Sequence, residues 1–130
     1  MLDTDNGIIQ QRSNHSVDDT MQRLLELMHA KGITLFAMVD HSGEAEKVGL
    51  KMLPTKLAIF GNPRGGTGVM LAAPTSALDL PLKILVWEDA EGAVWLSFNS
   101  AEFLQNRHGI PAEFHGLLAS VGDLAAAAGA

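Results

Sequence analysis

The chain has 130 residues, 47% hydrophobic and 18% charged, with fifteen acidic residues against nine basic ones for a net charge of −6. That length fits one domain with one core, and the apolar fraction excludes a disordered chain. The acidic balance, with two Trp, five Phe and no Tyr, argues against nucleic acid as a partner, and the lack of cysteine excludes disulfides, thiolate catalysis and Cys-ligated metals.

The first six residues, from Met1 to Asn6, are acidic and polar, the reverse of a basic then apolar leader, and no apolar run approaches the ~20 residues of a membrane span. A flexible tail over 1–6, a single α+β domain over 7–130, a cytoplasmic location and no membrane partner are the expectations. Low charge with nearly half apolar content also favours self-association as a homodimer.

Residues 7–13 form a weakly patterned first strand. Ser16, followed by Asp18 and Asp19, has the signature of a helix start, and Val17, Met21, Leu24, Leu25 and Met28 recur at helical spacing until Gly32. Residues 33–40 are almost all apolar and follow a Gly stop, so they predict a central strand buried on both faces. Ser42 is placed to cap a short helix ending near Val48 and Gly49, residues 50–53 are extended, and Lys56 to Phe60 make the next strand. Gly66 and Gly68 are poor helix formers, so only a short helix is expected beyond Pro63, centred on Val69 to Ala73.

The clearest local signal is a hairpin. Residues 82–88 and 93–98 alternate in polarity, and Asp89-Ala90-Glu91-Gly92 between them is rich in turn formers. Ser100 then caps a helix to Arg107, Gly109 stops it, and Pro111 opens a last helix with Phe114, Leu117, Leu118, Val121 and Leu124 on its apolar face. The alanine-rich end, 125–130, prolongs and then frays that helix. This order of elements predicts a two-layer α+β sandwich, with a mostly antiparallel or mixed sheet and helices on one face.

Several ordered blocks resemble the Domain of Unknown Function 302 family. They are Pro54-Thr55-Lys56-Leu57, Phe60-Gly61-Asn62-Pro63, Gly66-Thr67 with Met70, Asp79-Leu80-Pro81-Leu82-Lys83, Val86-Trp87-Glu88-Asp89 and Arg107-His108-Gly109. The likeness runs from about Gly7 to Leu118, departing mildly at Arg64-Gly65-Gly66 and at Gly68, where a proline is frequent in the family. It implies a small α+β domain, often a homodimer, with no established activity.

The strand-to-turn junction after Phe60 is the best place for a site. Asn62, Arg64, Gly66 and Thr67 can surround a small anionic or polar ligand through backbone N–H groups and the Arg64 charge. The competing reading is a tight chain reversal in which Asn62 caps the next helix. Thr67 and Gly68 stand where a phosphate-binding loop needs Lys and Ser or Thr, and Leu71 fails to complete a dinucleotide fingerprint, so no nucleotide cofactor is expected. His41, ending a strand beside a helix start, is the weak candidate for acid, base or ligand. The five histidines, at 15, 29, 41, 108 and 115, show no i,i+4 pair, so no metal site is expected. His108 is most simply a basic residue in the last turn of a helix, and Glu88, Asp89 and Glu91 are turn residues at a hairpin tip. Trp87 and Trp95 are placed to meet across that hairpin.

The leading reading is a non-enzymatic, homodimeric α+β domain that binds a small molecule or partner at the end of the strands carrying His41 and Asn62. One alternative is an enzyme using His41 as acid or base with Arg64 orienting an anionic substrate. The other is a purely structural self-association module.

Overall fold

The computed structural model describes residues 6–130, so most of the expected N-terminal tail lies outside the described residues. Five strands, β1 (Ile8–Ser13), β2 (Thr34–Asp40), β3 (Thr55–Gly61), β4 (Leu82–Glu88) and β5 (Val94–Asn99), form one sheet in the order β1-β5-β4-β3-β2. Every pairing is antiparallel. The helices are α1 (Val17–Ala30), α2 (His41–Lys47), α3 (Pro63–Ala72), α4 (Ala101–His108) and α5 (His115–Gly129), with 3-10 turns at Pro74–Leu78 and Ala112–Phe114. The α+β class expected from the sequence is the observed one.

Helix α1 begins and ends on local chemistry. The Ser16 hydroxyl accepts from the Asp19 N–H, and Asp18 and Asp19 sit where the helix dipole favours acids. At the other end Gly32 adopts φ 68, a left-handed conformation that lets Ile33 N donate to Met28 O and closes the helix.

The chain then emerges at the far edge of the sheet from β1. This overturns the expectation of a central strand at 33–40: β2 is an edge strand paired only with β3, and Thr34 through Met38 are exposed. Apolar composition alone does not separate a strand buried within its own sheet from one left at an uncovered edge.

The main core lies between α1, α5 and one face of the sheet. Leu24, Ile84, Val86, Leu96, Ala125 and Ala128 are wholly shielded from water there. Alternation along the strands turns Leu85, Trp87, Trp95 and Ser97 to the opposite face. There Trp87 and Trp95 are cross-strand partners, as expected. Trp87 Nε1 donates to Ser97 Oγ, Trp95 Nε1 donates to Asp89 Oδ2, and the Arg12 guanidinium lies 5.6 Å from the Trp95 ring centre.

The alanine-rich end does not fray. Arg23 donates to the carbonyls of Ala127, Ala128 and Ala130, supplying a cation and hydrogen bonds where the last turn of a helix lacks partners. A smaller second core joins α3, α4 and α5 through Val69, Ala73, Ala101, Leu104, Ile110 and Leu118.

Leu24→Ala should lower the unfolding free energy by about 2–5 kcal/mol, through lost transfer energy and a residual cavity. Leu71→Ala, at a side chain 80% exposed, should stay within about 0.5 kcal/mol of the parent. Denaturant titration of the two variants checks the contrast.

Candidate functional site

At the end of β3 the chain passes directly into α3. The Asn62 side chain accepts from Arg64 N at 3.0 Å, Pro63 occupies the first helical position, and the Thr67 hydroxyl donates back to Pro63 O at 2.6 Å. The helix runs ten residues despite Gly65, Gly66 and Gly68, longer than propensity predicts. Packing explains one of the glycines: a Cβ at Gly65 would meet Leu117 Cδ1 at 2.9 Å, so bare backbone there lets α3 approach α5, whereas one at Gly68 would sit in ordinary contact 3.5 Å from the Phe114 ring. A Cβ at Gly66 would meet nothing within 4 Å.

Gly66 faces a cavity of about 270 Å³. Its walls are Phe36 from β2, Gly61 and Asn62 at the end of β3, Pro63, Thr67 and Met70 of α3, Leu80 to Leu82 entering β4, and Leu117 and Leu118 of α5. The lining is overwhelmingly apolar, with Asn62 and Thr67 supplying side-chain polarity.

One wall is tied to the helix behind it. Asp79 Oδ2 accepts from Arg107 Nη1 at 2.9 Å and from His108 Nε2 at 2.5 Å, while His108 Nδ1 meets Thr75 Oγ1 at 2.9 Å. The His108 side chain is 3% exposed. Lys83 Nζ donates to the carbonyls of Asp79 and Pro81. Burial pulls the Lys83 ammonium below its usual pKa, partly offset by Asp79. These bonds hold residues 79–83, with Leu80, Pro81 and Leu82 among them, against the C-terminal end of α4. There Gly109 at φ 67 turns the chain away. His108 is therefore a buried hydrogen-bonding residue facing a carboxylate as well as a last-turn base.

Three of the residues expected at a site, Asn62, Gly66 and Thr67, line this cavity together. Arg64 is exposed on the first turn of α3 and does not line it. His41 is not brought near them. Because β2 and β3 are antiparallel, with Thr34 opposite Gly61 and Asp40 opposite Lys56, His41 lies at the other end of the strands, about 20 Å away at ~3.3 Å per residue. His41 and Arg64 therefore do not form one acid–base and anion-orienting pair. The short helix after β2 is capped by Asp40, not Ser42: Asp40 Oδ1 accepts from Gly43 N and from Ser42 Oγ. Those two hydrogen bonds, the Ser42 one foremost, hold the Asp40 carboxyl below the usual aspartate range.

The first-turn donors expected to hold an anion are largely engaged within the chain. Pro63 has no N–H, Arg64 N donates to Asn62 Oδ1, and Gly66 N donates to Asn62 O. Among the described residues no group of three or more His, Asp or Glu is placed to hold a metal ion. Sequence reading passed over the cavity walls, because Phe36, Met70, Leu80, Leu82 and Leu117 carry the same apolar signal as core residues. The one available clue was the clustering of Met70, Leu80 and Leu82 around the glycine turn and the 79–83 block; Phe36 and Leu117 lie far from both in sequence.

The family model described as Domain of unknown function DUF302 matches residues 9–127. This chain belongs to the DUF302 family. Four of the six blocks that carried the resemblance meet at the cavity: residues 61–63, Gly66, Thr67, Met70 and 80–82 supply walls, and Arg107 and His108 hold one of them through Asp79. Among solved structures it is similar to "uncharacterized conserved protein DUF302 from Bacillus stearothermophilus". The TM-score is 0.77 over 95% of each chain, at 16% identity. Among curated proteins it is 42% identical over 106 residues to "Fluoride-specific ion channel FluC 1" of Brucella suis biovar 1 (strain 1330). The Brucella abortus biovar 1 (strain 9-941) protein of the same name matches equally well. The match covers 82% of this chain but 42% and 39% of those relatives, so it spans about two fifths of their length. Among the described residues no helix is long and apolar enough to cross a membrane.

Asp79→Ala should cost about 1–3 kcal/mol by stranding buried His108, whereas Arg107→Ala, at a half-exposed partner, should cost about 1 kcal/mol or less. Urea denaturation of both variants measures the difference. The pH dependence follows from Asp40 and from Asp89, whose carboxyl is lowered mainly by the Trp95 N–H and the Ala93 N–H. A depressed folded pKa gives stability that is complete above the unfolded value of about 3.9 and lost as pH falls through the folded value. The Asp40→Asn, Asp89→Asn double variant should therefore show a shallower loss of stability than the parent below about pH 4 in acid titrations of the unfolding midpoint.

Proposed function

We propose that this DUF302 domain binds a small, largely apolar molecule in the cavity beneath α3, with the polar or anionic end of the molecule at the rim formed by Asn62 and Thr67. The observation that carries this reading is the contrast among the α3 glycines. A Cβ at Gly65 would meet Leu117 at 2.9 Å, while Gly66 opens onto apolar space that no described residue fills. An apolar cavity of this size favours occupation by carbon rather than by a bare ion, whose desolvation the walls would not repay. The positive end of α3 lies at that rim, while Arg64, exposed on its first turn, does not line the cavity. His41 has no part in this binding role, and no catalytic step is assigned.

The same proposal takes the protein to be cytoplasmic and self-associating, on its acidic, cysteine-free composition and its exposed apolar edge. Channel activity is not carried over from the Brucella proteins, since the region shared with them is less than half of each.

Gly66→Leu tests the pocket without attacking the fold. Leucine is a better helix former than glycine by up to about 1 kcal/mol, and its side chain would enter the cavity. The melting temperature should hold or rise, while octanoate, used as the probe, should shift backbone amide resonances of Met70 and Leu117 in the parent and not in the variant. Equal octanoate responses in parent and variant, or a response to inorganic phosphate as large as that to octanoate, would overturn the reading.

A further inference from the structure

The fold assembles one constellation from residues far apart in sequence. Thr75 stands on the 3-10 turn Pro74–Leu78 and His108 ends α4, 33 residues later, yet Thr75 Oγ1 lies 2.9 Å from His108 Nδ1. The other ring nitrogen, Nε2, lies 2.5 Å from Asp79 Oδ2. Hydroxyl, imidazole and carboxylate are thus joined in a row by hydrogen bonds.

Chemistry sets the direction of both bonds. A carboxylate only accepts, so His108 Nε2 carries the hydrogen and, in the neutral ring, Nδ1 holds a lone pair. Thr75 must then donate to it, which aims the hydroxyl proton at a base and leaves the lone pairs of Oγ1 outward. Arg107 Nη1 holds the same Asp79 oxygen at 2.9 Å and keeps the carboxylate in place.

Burial is graded along the row. The His108 side chain is 3% exposed and that of Asp79 17%, whereas Thr75 is exposed. Only the hydroxyl end meets solvent, the arrangement that a nucleophile with a sheltered, oriented base requires. The bonds that fasten residues 79–83 to α4 run through Asp79 and do not involve Thr75.

We propose that Thr75, His108 and Asp79 are a nucleophilic relay that takes an acyl group from an activated ester or thioester onto the Thr75 hydroxyl. Oγ1 bonds to the acyl carbon, its proton passes to His108 Nδ1, and the bond from that carbon to the leaving oxygen or sulfur breaks. The leaving group takes the proton from Nδ1 and departs as an alcohol, phenol or thiol, and Asp79 stabilises the imidazolium formed in between. Water, giving its proton to the same nitrogen, then attacks the acyl carbon, releases the acid and restores the threonine hydroxyl. A threonine hydroxyl with a single base is a modest nucleophile, so the donor it fits carries a good leaving group. The relay is separate from the apolar cavity, which neither Thr75 nor His108 lines.

The activated ester p-nitrophenyl acetate tests this on the full chain. The parent should release nitrophenol and carry an acetyl group on Thr75 in a peptide map of acid-quenched protein. Thr75→Val keeps the side-chain shape at an exposed position and should lower the release about 100-fold or more, while Thr75→Ser should restore it. Asp79 acts as a positioning residue. Asp79→Asn should slow acetylation of Thr75 while the exposed Lys31 in the same digest reacts at the parent rate, and imidazole nitrogen resonances should place the His108 hydrogen on Nε2 in the parent and move it toward Nδ1 in the variant. Acetyl groups confined to lysines, or nitrophenol release from Thr75→Val equal to that of the parent, would overturn the relay.

Discussion

Everything at the candidate site depends on how closely α5 lies against the sheet and α1. Ala125 and Ala128 are fully buried, and Gly129 sits so near β1 that a Cβ there would come 3.0 Å from Arg12 O. Such small residues allow a close approach that larger ones would block, and the Arg23 bonds hold the end of the helix in place. The other end of α5 then projects beyond the main core, where Leu117 and Leu118 meet α3 and the entry to β4. The cavity is the space those three elements leave when α5 is fixed by its small-residue end.

Two different economies of polarity surround that space. Asp79, Arg107, His108, Thr75 and Lys83 satisfy one another and the backbone, which lets a loop rich in polar groups sit partly buried beside an apolar cavity. At the opposite rim, Asn62 and Thr67 bond their own helix turn. The result is a pocket with rigid apolar walls, suited to recognition by shape. The acid–base pair that sequence alone suggested is divided between opposite ends of the antiparallel β2–β3 pair.

Much of the architecture was legible because it rests on local chemistry. Ser16 with Asp18 and Asp19, Gly32, Ser100 and Gly109 mark helix ends through their own side chains or dihedrals. The β4–β5 hairpin follows from alternation around a turn that Asp89 closes with bonds from Glu91 N and Ala93 N. What escaped the sequence depends on distant contacts. The length of α3 comes from Leu117 packing on the bare backbone of Gly65, the edge position of β2 from the path of α1 across the sheet, and the docked alanine tail from Arg23. Asn62, Gly66 and Thr67 were found because a strand running into a glycine turn is a local signal. Phe36 and Leu117 were not, because a wall residue and a core residue have the same chemistry until the fold shows which faces a space.

The central claim is that the space beneath α3 receives the apolar part of a ligand. The most direct measurement is the set of intermolecular nuclear Overhauser contacts from the methylene chain of bound octanoate. Contacts to the Phe36 ring, the Met70 methyl and the Leu117 methyls are predicted, with the carboxylate end near Asn62. Contacts confined to Leu57 and Leu85 on the opposite side of the sheet, or none to the α3 cavity at saturating octanoate, would contradict the account.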